Sequence, residues 1–360
     1  MAKGEIFLNE PKISVVVPLY NRKYYIEDCI SSVLNQSFQD FEIIIRDDFS
    51  SDGVCEFVEK IFSAEISSGK IKLFRNSENL GESATLKKLF KNATGKYITI
   101  LHNDDLYLKN ALEHLYKVAE KFHADVVHST GVLTSPKDGT IKDGSTLKRI
   151  FHDAHNVENI EVMPSDLKFR FNEWLYGGIF QDAQYNIFRR KFLFESNMIE
   201  EMDGCDNSFL SLLWIMKAKI FVKTPEIFYI HRDSPDSQTN DRSFSPQKLE
   251  RNISTQIKLF RQVDKFLSDM DFFKDDKISD YLVKAKIFMA QENLDRDKIL
   301  NGNKNYAELY KLTEDIFKKI FGSDGVYLAL LYHWGHIMQF KKSEAKKLLL
   351  NCLKTLDNDI

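Results

Sequence analysis

Apolar positions in the first hundred residues alternate between short continuous runs and helical stripes. Residues 13–17, Ile-Ser-Val-Val-Val, are mostly β-branched and nearly unbroken, which suits a strand buried on both faces. Ile26, Cys29, Ile30, Val33 and Leu34 then recur at helical spacing along one face. The alternation continues with a strand at 43–45, a helix over 54–66, a strand at 71–74 and a helix over 83–93. A strand over 97–101, a helix over 108–122 and a strand over 124–128 follow. Strands alternating with helices predict right-handed βαβ units, and so an α/β fold with a mostly parallel sheet flanked by helices.

The pattern weakens over residues 129–170, a polar stretch with Pro136, Gly139 and Gly144. It reads as a long excursion from the sheet, of the kind that often carries function. Strand signals return at 187–188, 220–222 and 227–230, with a helix at 208–216 between them. Beyond Pro246 the β signal stops. Ile253, Ile257 and Phe260 form a helical stripe, as do Tyr306, Leu309 and Tyr310, and a last helix over 343–356 carries Lys346 and Lys347. The chain therefore divides into an α/β domain over 1–245 and an all-helical C-terminal domain over 246–360. A length of 360 residues suits two domains of roughly 150.

Charge and composition then remove several function classes. A net charge of -3, from 50 basic and 53 acidic residues, leaves no basic footprint for nucleic acid. No apolar run approaches the roughly 20 residues of a membrane span. Residues 1–11 include Lys3, Glu5 and Glu10 and lack a signal-peptide block. The cysteines, Cys29, Cys55, Cys205 and Cys352, have no C-x-x-C spacing, which argues against structural zinc and a disulfide framework. The expected compartment is the reducing cytoplasm. The basic last helix leaves open peripheral contact with the inner face of the cell membrane, and the C-terminal helices leave open a homodimer.

No G-x-G-x-x-G follows the first strand, and no P-loop, G-x-S-x-G or H-E-x-x-H motif is present. Acidic residues instead end the strands, at the sheet edge where open α/β folds bind ligands. The second strand runs into Asp47-Asp48-Phe49-Ser50-Ser51-Asp52-Gly53. A carboxylate there can accept from a pyrimidine N–H or a ribose hydroxyl, or can cap the next helix. The fourth strand ends in His102-Asn103-Asp104-Asp105. Adjacent carboxylates repel unless a cation or donors neutralise them, and a hard divalent cation is commonly completed by substrate phosphates. A turn with a helix cap is the other reading.

Residues 13–21, Ile-Ser-Val-Val-Val-Pro-Leu-Tyr-Asn, residues 30–37, Ile-Ser-Ser-Val-Leu-Asn-Gln-Ser, and the Asp47 to Gly53 segment together resemble glycosyltransferase family 2. So do Asn79-Leu80-Gly81-Glu82-Ser83 and the run from Ala93-Thr94-Gly95-Lys96-Tyr97 into Asn103-Asp104-Asp105, in the family's order. The resemblance is strong over 12–105 and weaker to about 237. It implies a GT-A (Rossmann-like) fold, a nucleotide-sugar donor with UDP as the expected carrier, Mn²⁺ or Mg²⁺, and transfer with inversion to a glycan or lipid-linked glycan acceptor in surface polysaccharide, lipooligosaccharide or glycoprotein glycan assembly.

Residue by residue, the resemblance implies that Pro18, Tyr20 and Asn21 line the nucleotide pocket and that Asp48 contacts the base. Asn103, Asp104 and Asp105 fall on the family's D-x-D-D segment, near ribose, metal and diphosphate. The chain departs from the pattern twice. His102 stands for the leading aspartate, and Thr85-Leu86-Lys87 stands for an Ala-Arg-Asn, leaving Lys87 or Lys88 to face phosphate. Asp206, opening the helix at 208–216, matches the catalytic base that takes the acceptor proton. It also suits a helix N-cap, and Glu200, Glu201 and Asp203 are rivals. His231 matches a histidine near the metal, or is a loop histidine. Trp174, Tyr176 and Gly178 fall on the acceptor-contacting segment, where an aromatic face suits a sugar ring, or are core residues. Arg189 and Arg190 suit a diphosphate or a solvated face. The alternatives are a nucleotidyltransferase making nucleotide sugars, which lacks its phosphate loop here, and a non-catalytic binding module.

Overall fold

The computed structural model describes residues 10–141, 146–151, 158–175, 182–202 and 207–233, with scattered positions from 262 to 270. Two compact units divide the chain, Met1–Asp241 and Arg242–Ile360. The all-helical expectation for 246–360 falls almost wholly outside the described residues. No helix among them is long and apolar enough to cross a membrane.

The first unit opens with β1 (Ile13–Leu19), α1 (Ile26–Leu34), β2 (Phe41–Asp47), α2 (Val54–Ile61), α3 (Ser63–Ser67) and β3 (Ile71–Arg75). It continues with α4 (Glu82–Asn92), β4 (Tyr97–Ile100), β5 (Leu106–Tyr107), α5 (Ala111–Phe122), β6 (Val126–Ser129) and β7 (Gly131–Thr134). Then come β8 (Lys148–Phe151), β9 (Glu161–Val162), α6 (Leu167–Leu175), β10 (Asn186–Arg189), α7 (Arg190–Glu195), α8 (Met198–Glu201), α9 (Asn207–Lys217), β11 (Phe221–Thr224) and β12 (Tyr229–His231). The eight-stranded sheet has the order β3-β2-β1-β4-β10-β6-β11-β9. β1, β2, β3 and β4 are parallel, as are β6 and β11, while β10 runs antiparallel to both its neighbours. A smaller, four-stranded sheet has the order β5-β12-β7-β8.

The β-branched runs of β1 and β2 are inaccessible on both faces because helices cover each side. Two expectations change. The single helix over 54–66 breaks at Phe62 into α2 and α3. The polar excursion contains an antiparallel pair, β7 with β8, registering Gly131 with Phe151. Its strands alternate polar and apolar residues too briefly to read as strands.

A buried polar knot locks the strands that carry the site. Glu42 on β2 accepts from Ser14 Oγ of β1 at 2.6 Å and from both the backbone N and Oγ1 of Thr94 at 2.8 Å. Lys72 on β3 donates to its other oxygen at 2.6 Å. Gly95 N donates to Ser14 Oγ at 2.9 Å, and a Cβ at Gly95 would stand 2.6 Å from Ser14 N, so glycine is required there. Burial pushes the Glu42 carboxyl up, but the donors from Lys72, Ser14 and Thr94 win and hold it below its ordinary 4.5. A carboxyl depressed in the folded state contributes stability fully above pH 4.5, which is lost as pH falls through the folded value. Glu42→Gln is therefore expected to cost about 2 kcal/mol at pH 7. The gap from wild type should narrow as the pH of the melts is lowered from 7 through the folded value of Glu42.

Candidate functional site

β2, β1 and β4 are parallel neighbours, so their C-terminal ends emerge side by side. Pro18 lies beyond the last β1–β4 pair, Val16 with Ile100, so its missing N–H costs no bond to β4. Tyr20 follows, 47% exposed. Asn21 and Arg22 both adopt positive φ, at 55° and 69°. That turn is laced to its neighbours. Asn21 N donates to Ser50 Oγ at 2.7 Å, Ser51 N to Asn21 Oδ1 at 3.1 Å, and Asn103 Nδ2 to the Asn21 carbonyl at 2.9 Å. Backbone strain held in place by such bonds gathers where ligands bind.

The two aspartates ending β2 have different roles. Asp47 is fully buried and structural: Oδ1 accepts from Ser50 N at 3.0 Å and Oδ2 pairs with Arg75 Nε at 3.1 Å. Asp48 draws the Asn79-Leu80-Gly81 loop over the sheet edge. Its Oδ1 accepts from Leu80 N and Asn76 Nδ2, both at 2.8 Å, and its Oδ2 from Gly81 N at 2.9 Å. Gly81 carries φ 82°, which only glycine adopts readily. Lys88 Nζ donates to Asn76 Oδ1 at 3.2 Å, so it stands one residue away from Asp48.

At the end of β4 the carboxylates again divide. Asp105 is 1% exposed, its Oδ2 accepting from Tyr229 OH and its Oδ1 from Arg232 N, both at 2.7 Å. Tyr229 OH in turn accepts from His102 N at 3.2 Å. Asp105 thus links the end of β4 to β12 through these two bonds. Asp104 is the half-buried partner, and among the described residues no other residue donates to its carboxylate. Burial first, then the Asp105 charge, raises Asp104 above its ordinary value, against the pull of His102 and Arg22. His231 Nδ1 lies 3.3 Å from Asp105 Oδ1, which leaves Nε2 as its remaining nitrogen. His102 Nε2 lies 3.3 Å from Glu82 Oε1. Burial opposes charge on His102, but Glu82, Asp105 and Asp104 lift it to about 9.

A divalent cation at this edge would have few protein ligands. No cluster of three His, Cys, Asp or Glu among the described residues forms a protein cage. Asp104 and His231 would be the donors available to a cation here, with Asp105 Oδ1 3.3 Å from His231 Nδ1 in the place of an outer carboxylate. A cation bound through one or two side chains and completed by substrate phosphates matches that count.

Other expected residues separate from this edge. Trp174 is fully buried, its indole N–H donating to Ser211 Oγ at 2.7 Å and its ring stacked on Phe171 at 5.7 Å. It is a core residue and presents no face to an acceptor. Arg189 pairs with Tyr97 across the antiparallel β10–β4 ladder, at the opposite edge, where it is bonded to Asp125. Arg190 is held by the Ala93 carbonyl at 2.7 Å, so neither arginine faces the strand ends near Asp104. Lys87 and Lys91 flank Glu200 at 3.0 and 2.8 Å, and Lys217 holds Glu201 at 2.6 Å. Tyr176, Gly178, Asp203 and Asp206 lie outside the described residues. Residues that sequence reasoning passed over are Tyr229, Arg232, Asn76 and Glu82. Each is a polar residue whose partner is remote in sequence, so periodicity carried no signal for it.

The sequence model of glycosyl transferase family 2 matches residues 14–196. Among curated proteins, the GalNAc(5)-diNAcBac-PP-undecaprenol beta-1,3-glucosyltransferase of Campylobacter jejuni is 29% identical over 223 residues, 62% of this chain and 63% of that protein. An uncharacterized glycosyltransferase of Haemophilus influenzae is 32% identical over 143 residues, 40% of this chain and 56% of its own length. The chain thus spans less than two thirds of these relatives. Among solved structures, TarS 1–349 of S. aureus in complex with UDP-GlcNAc aligns with a TM-score of 0.59 at 17% identity, over 91% of this chain and 87% of that one. A mannosyltransferase of Pyrobaculum calidifontis in complex with GDP-Man and Mn²⁺ aligns at 0.50 and 13% identity, over 93% and 89% of the two chains. At such identities the likeness is one of fold.

Proposed function

The chain belongs to glycosyltransferase family 2, and we propose that it is an inverting, metal-dependent enzyme that moves a sugar from a UDP-sugar to a hydroxyl of a glycan acceptor. The observation that carries this reading is the convergence of three strand ends. The parallel order β2-β1-β4 sets Asp48, the turn Tyr20-Asn21 and the pair Asn103-Asp104 along one edge. Asp48 and Tyr20 receive the base, with Pro18 and Asn21 shaping the pocket. Asp48 Oδ1 already accepts twice, while Oδ2 accepts only from Gly81 N and keeps a lone pair for a pyrimidine N–H. Lys88 adds positive charge near the donor. The bound TarS complex supports a uridine nucleotide as carrier.

Asp104 and His231 would hold Mn²⁺ or Mg²⁺. When bound, the cation neutralises charge on the leaving diphosphate. Asp206 takes the proton from the attacking hydroxyl. Its rivals Glu200 and Glu201 are committed to lysine pairs, and those pairs hold Glu200 below its ordinary value. Tyr176 and Gly178 remain the acceptor-side residues of this proposal. A polyprenyl diphosphate-linked glycan, of the kind named for the C. jejuni relative, is the acceptor class to test first, with the enzyme working at the cytoplasmic face of the membrane.

A thermal-shift screen of nucleoside diphosphates with and without Mn²⁺ tests the reading. UDP with Mn²⁺ should raise the melting temperature by about 5 °C, and UDP alone by far less. Diphosphate release from UTP and a sugar phosphate, with no shift by UDP, would instead indicate a nucleotidyltransferase.

A further inference from the structure

The backbone beneath Asp104 is gripped by a residue that the chemistry above does not use. Arg232 follows β12 and is 5% exposed. Its backbone N holds Asp105. Its Nε donates to the carbonyl of Asp104 itself at 2.9 Å. One terminal nitrogen donates to the Gly139 carbonyl at 2.9 Å, and the other to Asp28 Oδ2 at 3.0 Å. The guanidinium carbon lies 4.8 Å from the centre of the Tyr25 ring. Tyr25 caps α1 and Asp28 sits in its first turn, directly after the strained Asn21-Arg22 turn. One planar cation therefore bridges the start of α1, just after the base-side turn, the Asp104 peptide and the Gly139 carbonyl. A lysine ammonium cannot span acceptors laid out for that fork.

We propose that Arg232 is a positioning residue for donor binding. It sets the distance between the turn that receives the base and the peptide that carries the cation-facing carboxylate. This role rests on the function proposed above. It requires both ends of one ligand to be recognised at a fixed separation, as a nucleoside diphosphate demands and a free nucleoside does not.

The test compares uridine and UDP, each with and without Mn²⁺, by calorimetry on wild type, Arg232→Lys and Asp28→Asn, with melting temperatures recorded alongside. Asp28 is 60% exposed at its side chain, so its variant should fold even where Arg232→Ala does not. The Asn103–Asn21 bond also remains to hold the turn. The expected result is uridine binding within about twofold of wild type and a 10–100-fold loss of Mn²⁺-dependent UDP affinity in Arg232→Lys. Asp28→Asn should lose less, and added guanidinium ion should restore part of the loss in Arg232→Ala. A lower melting temperature with unchanged Mn²⁺-dependent UDP affinity would make Arg232 a structural residue only and overturn the proposal. Equal losses for uridine and UDP would overturn it too, as general loosening. A wild-type chain that binds no UDP defeats the proposed function and this role together. Wild-type binding matched by Arg232→Lys defeats this role alone.

Discussion

Asp206→Asn should abolish sugar transfer while leaving UDP-sugar binding near wild type. A positioned general base contributes about 10²–10⁴-fold, and the amide keeps the side chain's shape while removing its ability to take a proton. Single-turnover transfer should fall by about 10³-fold, with the dissociation constant for UDP moving little. The assignment gains from what surrounds it in sequence. Asp206 directly precedes α9, while Glu200 and Glu201 on α8 are tied to Lys87, Lys91 and Lys217. Glu201→Gln is the matched control: it should weaken the α8–α9 connection and leave the chemical step intact. Full turnover by Asp206→Asn, or its loss in Glu201→Gln at unchanged folding, would move the base elsewhere.

The second large effect belongs to Asp104. Asp104→Asn should weaken Mn²⁺ binding in the presence of UDP by at least about 100-fold, the upper end of what even an outer-shell partner contributes. Its melting temperature without ligand should stay close to wild type or rise, because burial and the neighbouring Asp105 charge both disfavour the Asp104 carboxylate. Asp105→Asn should behave oppositely. That residue anchors Tyr229 and Arg232, so its loss should lower the melting temperature whether or not Mn²⁺ is present. Electron paramagnetic resonance of free Mn²⁺, paired with thermal melts, reads both properties on the same samples. If the two variants shift metal affinity and stability alike, the division between a cation-facing and an anchoring aspartate is wrong.

Both predictions depend on a distinction that neighbouring residues do not make for themselves. Asp47 and Asp48 are adjacent, as are Asp104 and Asp105, and each pair ends a strand. Asp47 and Asp48 are both buried at the end of β2, whereas of Asp104 and Asp105, in the turn between β4 and β5, Asp105 is the more deeply buried. Which of them is tied to a remote strand depends on the partner that strand offers. Arg75 on β3 meets Asp47, and Tyr229 with Arg232, more than 120 residues away in sequence, meets Asp105. Trp174 and Arg189 carry the same lesson. An aromatic and a basic residue suit a sugar and a diphosphate by chemistry. Helix α6 packs the one against Ser211, and the reversed direction of β10 carries the other to the far edge of the sheet.

Local order along the chain was enough for the α/β class, the parallel β1–β4 core and the edge on which the acidic motifs lie. Those depend on side-chain spacing within ten or so residues and on turn chemistry, which a linear string records directly. The direction of a four-residue strand, the β7–β8 pair, and the choice of which buried charge receives which donor were decided only when remote segments met. A buried polar group must find a partner wherever one is offered, and nothing in its immediate neighbours says where that will be.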